Sequence, residues 1–348
     1  MAEAVFAIPG DLATQTGGYA YARRVLALLP DSGVAVRHLP LPASFPDPSP
    51  DDLAETARRL AATPDGAVLL VDGLAYGALP PDLVAGLARP VVALVHHPLG
   101  LEAGLAPERA EALVENERAA LALARWTICT SAATARLLAE EFGVPATRLT
   151  IAEPGTEPAR RARGTGRPAT LLAVGAVTPR KGFGILVQAL RELAGLDWRL
   201  TIAGPLDRAP EEAARLAAAI RDAGLADQIA LPGTVDPTGL ETLYAFADLM
   251  VSPSLFEGYG MALAEALARG LPLVASTGGA AADTVPDEAG LKVPPGDVGA
   301  LAAALRRMIE DEPFRGACAD AAWAAGGRLP RWSGTARQIA GVIREIAG

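Results

Sequence analysis

From one end to the other, the chain alternates short apolar runs with longer amphipathic segments rich in Ala, Leu and Arg. That rhythm is the pattern of strand–helix units on a parallel sheet. A strand covered by helices on both faces is apolar throughout, while its crossover helix is apolar along one stripe. The expected fold class is α/β. Six strand candidates lie in the first half: Ala4–Ile8, Val34–Leu39, Ala67–Val71, Val91–Val95, Thr127–Thr130 and Leu149–Ile151. Six more follow at Thr170–Val174, Arg199–Ala203, Ile229–Leu231, Leu249–Val251, Pro272–Ala275 and Gly290–Val293. Between the two series, Glu153–Pro168 is dense in Pro, Gly, Arg and Thr without apolar periodicity and reads as a linker. A length of 348 residues also suits two domains rather than one. The expected boundaries are 1–158 and 159–331, with the last helical run, 332–348, packing back on the first domain. The expectation is two Rossmann-like halves facing a central cleft, with ligands held by the loops after the strands.

Composition narrows the function classes. Hydrophobic residues make up 51% and charged residues 20% of the chain, enough apolar material for two cores and too little polarity for disorder. The net charge of −9 argues against a nucleic-acid partner, although a local basic patch on the first half is compatible with peripheral contact with an anionic membrane surface. The amphipathic run Pro107–Ala124 carries Glu108, Arg109, Glu111, Glu115, Glu117 and Arg118 on its polar positions, a mixture that favours no membrane assignment. No segment reaches the ~20 apolar residues of a membrane span, and the start MAEAVFAIPG has no basic leader, so a cytoplasmic location is expected. Cys129 and Cys318 sit in apolar and helical runs and read as core residues rather than as a disulfide or metal pair.

The most informative segment is Ser252–Glu265 (SPSLFEGYGMALAE), which runs from a strand end through a glycine-containing loop into a helix. If Gly258, Tyr259, Gly260 and Met261 open that helix, their unpaired N–H groups form an anion site suited to a diphosphate without a metal. Glu257 then stands at the helix mouth and Glu265 about two turns in. At ~1.5 Å per residue the two carboxylates are at most about 12 Å apart, a span comparable to that from a sugar to a ribose joined through a diphosphate. An acidic cap at Glu257 and a solvated helix face at Glu265 fit the same spacing. The loop after Thr170–Val174 carries Arg180 and Lys181 just before the next helix, where cations stabilise a departing diphosphate, or simply a solvated surface. In the first half, Gly17 and Gly18 are expected to open an amphipathic helix and permit close backbone approach to a phosphate, or make a plain glycine turn. His96 and His97 follow an apolar strand, where one of them can hydrogen-bond a sugar hydroxyl or accept a proton. No third ligand stands at a metal-binding spacing, and no Asp-x-Asp metal clamp occurs in the chain.

The segment from Phe256 to Glu265, followed by ALARGLPLVAS and Thr277-Gly-Gly279, resembles the Glu-x7-Glu donor-site run of the family-4 retaining glycosyltransferases of GT-B architecture. The loop LAVGAVTPRKG, ending at Gly182, is similar to that family's phosphate-binding Lys-Gly loop, with Ala176 where the family commonly has an arginine. The resemblance implies that Glu257 meets the transferred sugar, that Glu265 hydrogen-bonds the ribose, and that Lys181, with Arg180, holds the diphosphate. It favours His96 over His97 at the sugar, places the Gly17–Gly18 loop over the diphosphate, and lays the nucleotide base near Gly204, Thr234 and Val235. The implied reaction transfers a hexosyl group from a UDP- or GDP-sugar to a hydroxyl-bearing acceptor with retention and without cofactor or metal. A nucleotide-sugar epimerase or hydrolase on the same fold, and a non-catalytic nucleotide-sugar-binding protein, remain as alternatives.

Overall fold

The computed structural model describes residues 2–348; the expected first boundary, at residue 1, lies outside them. Among the described residues, twelve strands form two six-stranded sheets. The first contains β1 (Ala2–Pro9), β2 (Val34–Leu41), β3 (Val68–Asp72), β4 (Val91–Val95), β5 (Trp126–Cys129) and β6 (Leu149–Ile151). The second contains β7 (Ala169–Val174), β8 (Trp198–Ala203), β9 (Ile229–Gly233), β10 (Leu249–Ser252), β11 (Leu273–Ser276) and β12 (Gly290–Val293). Every strand pairing is parallel. Each apolar run read from the sequence is one of these strands, because a two-sided sheet needs no polar alternation: β3 and β4 are buried at every residue.

Contacts divide the chain into two compact units. One holds the chain up to Gly155 together with Pro330–Gly348, and the other is Thr156–Leu329. Each unit has its own apolar core. In the first, Val71, Ala93 and Cys129 of adjacent strands pack with Tyr76 and Leu121 from the covering helices. In the second, Leu171, Leu200 and Val251 pack with Phe183, Leu216 and Leu305. Cys129 and Cys318 are both buried free thiols. The C-terminal helix Trp332–Ala347 belongs to the first unit: Thr335 Oγ1 donates to Glu153 O at 2.6 Å and Arg344 Nη1 to Ser32 O at 2.8 Å. A Cβ at Gly155 would fall 2.0 Å from Trp332 N, so only glycine lets the helix start so close to the strand-side chain.

Strand order locates the ligand-binding positions. The first sheet runs β2-β1-β3-β4-β5-β6, and its order reverses between β1 and β3. The second runs β12-β11-β10-β7-β8-β9, the order of a dinucleotide-binding sheet, and reverses between β7 and β10. At such a switch the loops leave neighbouring strands in opposite directions and open a crevice beyond the carboxyl ends. Arg180, Lys181 and Glu257 lie on the loops after β7 and β10.

Candidate functional site

After β7 the chain makes a single turn of 3-10 helix, Pro179–Lys181, and reverses at Gly182 with φ +65°. A Cβ on Gly182 would lie 2.3 Å from Pro253 O, so this glycine lets the β7 loop press against the β10 loop. The two are laced together by Leu255 N–H, which donates to Arg180 O at 2.8 Å. Lys181 lays its stem along Gly175 and delivers Nζ to Glu257 Oε1 at 2.6 Å. Arg180 Nη1 donates to Phe256 O at 2.7 Å and stands 3.6 Å from Glu257 Oε2. Ser254 Oγ donates to Glu257 Oε1, also at 2.6 Å.

Glu257 is 6% exposed. Burial pushes its carboxyl pKa up, but the Lys181 ammonium, the Arg180 guanidinium and the hydrogen bonds from Lys181 and Ser254 outweigh that and hold it below the ordinary value. Lys181 and Arg180 thus both bring a cation to one buried carboxylate at the sheet switch. The backbone of Glu257 is fixed as firmly as its side chain. Its N–H donates to Gly278 O at 3.1 Å, and its carbonyl accepts from Ala280 N at 2.8 Å. Gly279 has φ +63°, and a Cβ there would meet Glu257 O at 2.4 Å. Thr277-Gly-Gly279 thus acts as the bed on which Glu257 rests.

Gly258 and Tyr259 precede the next helix rather than opening it. Gly260 caps it with φ +89°, and Met261–Leu267 is a seven-residue helix. Glu265 accordingly sits about one turn into the helix, not two, because the helix begins later than the glycine pattern suggested. Glu265 is half-buried; its Oε2 accepts from Tyr244 Oη at 2.9 Å and its backbone carbonyl from Arg269 Nη1 at 3.0 Å. Burial raises its pKa, with Tyr244 and Arg269 opposing that shift and Glu241 adding to it.

Gly204, Thr234 and Val235 lie farther along the same sheet edge, after β8 and β9. The ends of three strands are tied together there. Gly175 N–H donates to Ala203 O and Gly204 N–H to Gly233 O, each at 2.9 Å. A Cβ on Gly204 would lie 2.0 Å from Gly175 O, so glycine is required for the β8 end to lie against the β7 loop. Thr234 is exposed and Val235 half-buried, on either side of the chain leading to Asp236, which caps the helix Pro237–Phe246. The structure therefore groups Arg180, Lys181 and Glu257 in direct contact and sets Gly204, Thr234 and Val235 two and three strands away from β10.

In the first unit, Gly17 and Gly18 begin the helix Gly17–Leu28 after the β1 loop, and His96 follows β4. A Cβ on Gly18 would lie 3.6 Å from His96 Cδ2, so the glycine pair and the histidine are neighbours. His96 also meets the edge of Tyr21 at 5.0 Å, and its Nε2 stands 3.8 Å from Asp72 Oδ2 at the end of β3. Burial lowers the His96 pKa, and Asp72 only partly restores it. His97 instead faces Glu102, with Nε2 3.7 Å from Oε2. His96 is thus the histidine at the β1–β3 switch.

Sequence reasoning missed several residues that shape these sites. Tyr21, Ser254 and Tyr244 carry no spacing signal; Asp72 had one available as a carboxylate ending an apolar run, and Arg269 had one in standing four residues after Glu265. Glu117, read as a polar surface position, is 1% exposed. Its Oε2 accepts from Leu99 N at 2.8 Å, just beyond the His96–His97 pair, and burial pushes its carboxyl up to about 8. Among the described residues, no group of three or more His, Cys, Asp or Glu side chains is placed to hold a metal ion, and no helix is long and apolar enough to cross a membrane.

Residues 156–324 match the family model described as glycosyl transferases group 1, and Arg180, Lys181, Glu257 and Glu265 all fall within them. The chain is similar to the D-inositol 3-phosphate glycosyltransferase of Nocardioides, 30% identical over 270 residues that cover 70% of this chain and 58% of that protein. Its counterpart from Acidothermus cellulolyticus is 31% identical over 61% of this chain and 51% of its own length. The phosphatidyl-myo-inositol mannosyltransferase of Mycobacterium leprae is 36% identical over 49% of this chain and 44% of its own. The chain spans about half the length of the curated relatives it matches. Among solved structures, sucrose-phosphate synthase from Thermosynechococcus elongatus superposes with a TM-score of 0.85 at 22% identity, covering 99% of both chains. HepE from Anabaena in complex with UDP-glucose superposes at 0.74 with 18% identity, covering 99% of this chain and 100% of that one. The architecture is the GT-B one.

Proposed function

We propose that this chain is a retaining glycosyltransferase that moves a hexosyl group from a nucleotide-diphosphate sugar, UDP- or GDP-linked, to a hydroxyl of a glycan, glycolipid or small-molecule acceptor. The observation that carries the reading is the convergence of Lys181 and Arg180 on buried Glu257 at the β7–β10 switch. That cluster brings two cations to the place where a dinucleotide-binding sheet receives its ligand, and it lies inside the segment matching the glycosyl transferases group 1 model.

In this reading the donor's diphosphate takes over Lys181 and Arg180, whose charge is already held in place and needs no reorganisation as negative charge develops on the leaving group. Glu257 then turns its carboxylate to the sugar hydroxyls, and Glu265 accepts from the ribose. The bond from the anomeric carbon to the diphosphate oxygen breaks, a bond to the acceptor oxygen forms on the same face, and the acceptor's proton leaves with the diphosphate. His96, beside Gly18, is proposed to meet a sugar hydroxyl as a neutral imidazole, the state that its burial favours. Protein cations meet the leaving-group charge, so transfer is proposed to need no metal.

The test is thermal stabilisation of the protein by UDP-, GDP- and ADP-sugars, with EDTA present, repeated with Glu257→Gln and Lys181→Ala. A selective shift for one nucleotide, abolished by Lys181→Ala and retained by Glu257→Gln while sugar transfer is lost, supports the reading. No shift with any donor sinks it.

A further inference from the structure

Glu265 is not a lone carboxylate on a helix. The helix Pro237–Phe246 presents Glu241 and Tyr244 to it, and the helix Met261–Leu267 with its following turn presents Glu265 and Arg269. Tyr244 is 1% exposed, and its hydroxyl donates to Glu265 Oε2 at 2.9 Å. The Arg269 guanidinium lies over the Tyr244 ring, 4.5 Å from its centroid, and is itself paired with Glu241. The same arginine donates to the Glu265 backbone carbonyl at 3.0 Å. Two contacts thus fix the carboxylate: one holds its backbone, the other one of its two oxygens.

We infer that Tyr244 is a positioning residue for ribose recognition: its hydroxyl ties down Oε2 of Glu265 and leaves Oε1 as the acceptor that a ribose hydroxyl meets. The inference rests on the transferase reading and deepens it. An untethered glutamate loses several rotamers on meeting a ligand, whereas a tethered one has already lost them, so the hydrogen bond to the ribose forms with less entropic opposition. Burial keeps the Tyr244 phenol protonated far above neutral pH, so it acts only as a donor here. Donation to Oε2 favours the ionised carboxylate, the form in which Oε1 accepts from the ribose, against the burial that favours the neutral acid.

Tyr244→Phe removes the hydroxyl and keeps the ring under Arg269, so the two helices remain packed. Calorimetric affinities are compared for UDP, GDP and ADP and for their 2′,3′-dideoxy counterparts, in wild type and in Tyr244→Phe. For whichever nucleotide the wild type prefers, the ribonucleotide is expected to bind about tenfold more weakly to Tyr244→Phe, while the dideoxynucleotide binds both proteins equally. An unchanged ribose preference in Tyr244→Phe overturns the inference alone. Equal weakening of ribo- and dideoxynucleotide overturns it too, since the change would not act through the ribose. Failure of the wild type to bind any nucleoside diphosphate overturns the transferase reading and the inference with it.

Discussion

Lys181 Nζ stands 2.6 Å from Glu257 Oε1 across two loops that leave neighbouring strands of one sheet. The ammonium that would hold a diphosphate is thus already engaged by the carboxylate that would hold the sugar. On the proposed reading, a donor would enter by exchanging partners within a pre-arranged set.

Removing one member of that pair leaves the other buried without its counter-charge, which is more damaging than removing the charge of both. Lys181→Ala is expected to lower unfolding free energy by roughly 2–3 kcal/mol, less than an isolated buried pair would lose because Arg180 and Ser254 still face Glu257. Lys181→Ala with Glu257→Gln should recover most of that loss. Urea unfolding of the two single variants and the double variant gives the coupling energy; additive losses would show that the ion pair contributes nothing.

Gly279→Ala forces a side chain into the left-handed region and against Glu257 O. A loss of about 1–3 kcal/mol is expected, accommodated by displacement of the Glu257 backbone. Donor binding should therefore fall by more than stability alone explains, as read by calorimetry at a temperature where the variant is fully folded. A folded Gly279→Ala protein with wild-type donor affinity would count against the anchoring role of this turn.

His96 has a lowered pKa in the folded protein, so between the folded value and the ordinary 6.5 the unfolded chain binds more protons. Its contribution to stability is complete above 6.5 and is lost as pH falls through the folded value. His96→Gln should flatten that acid-side decline. Urea midpoints taken between roughly pH 7.5 and 5 for both proteins measure it.

Glu117 behaves in the opposite sense. Its folded pKa is raised from 4.5 to about 8, so the folded state holds the extra proton across that window. Stability from this group is complete below 4.5 and is lost as pH rises through about 8. Glu117→Gln, which keeps an acceptor for Leu99 N–H, is expected to be more stable than wild type at about pH 9 and to show a flatter alkaline limb. Equal alkaline slopes in the two proteins would refute the assignment.

The sequence made the sheets legible because strands buried on both faces cannot hide: β4, β6 and β12 occupy the residues read for them, and the other strands shift by one or two residues at their ends. The division of the chain was less legible. It falls at Gly155–Thr156, before the predicted boundary, because contacts rather than composition decide where a unit ends. The loop positions of Arg180, Lys181 and Glu257 were readable from strand ends, but their mutual contact was not, since residues separated by the whole length of β8 and β9 are joined only by strand order. Tyr244 was invisible because only the packing of its helix against the next one brings it to Glu265, whereas Arg269 stands just four residues after Glu265. Glu117 was misread because helical periodicity marks where polar residues are tolerated, and a buried carboxylate bonded to a loop amide breaks that rule.

The helix Trp332–Ala347 closes the unit that β1 opens, and the whole second unit lies between them in the chain. During synthesis, domains generally fold as they emerge. Here the segment bearing Lys181 and Glu257 is fully made while its predecessor still lacks a helix, so the half that is begun first is completed last.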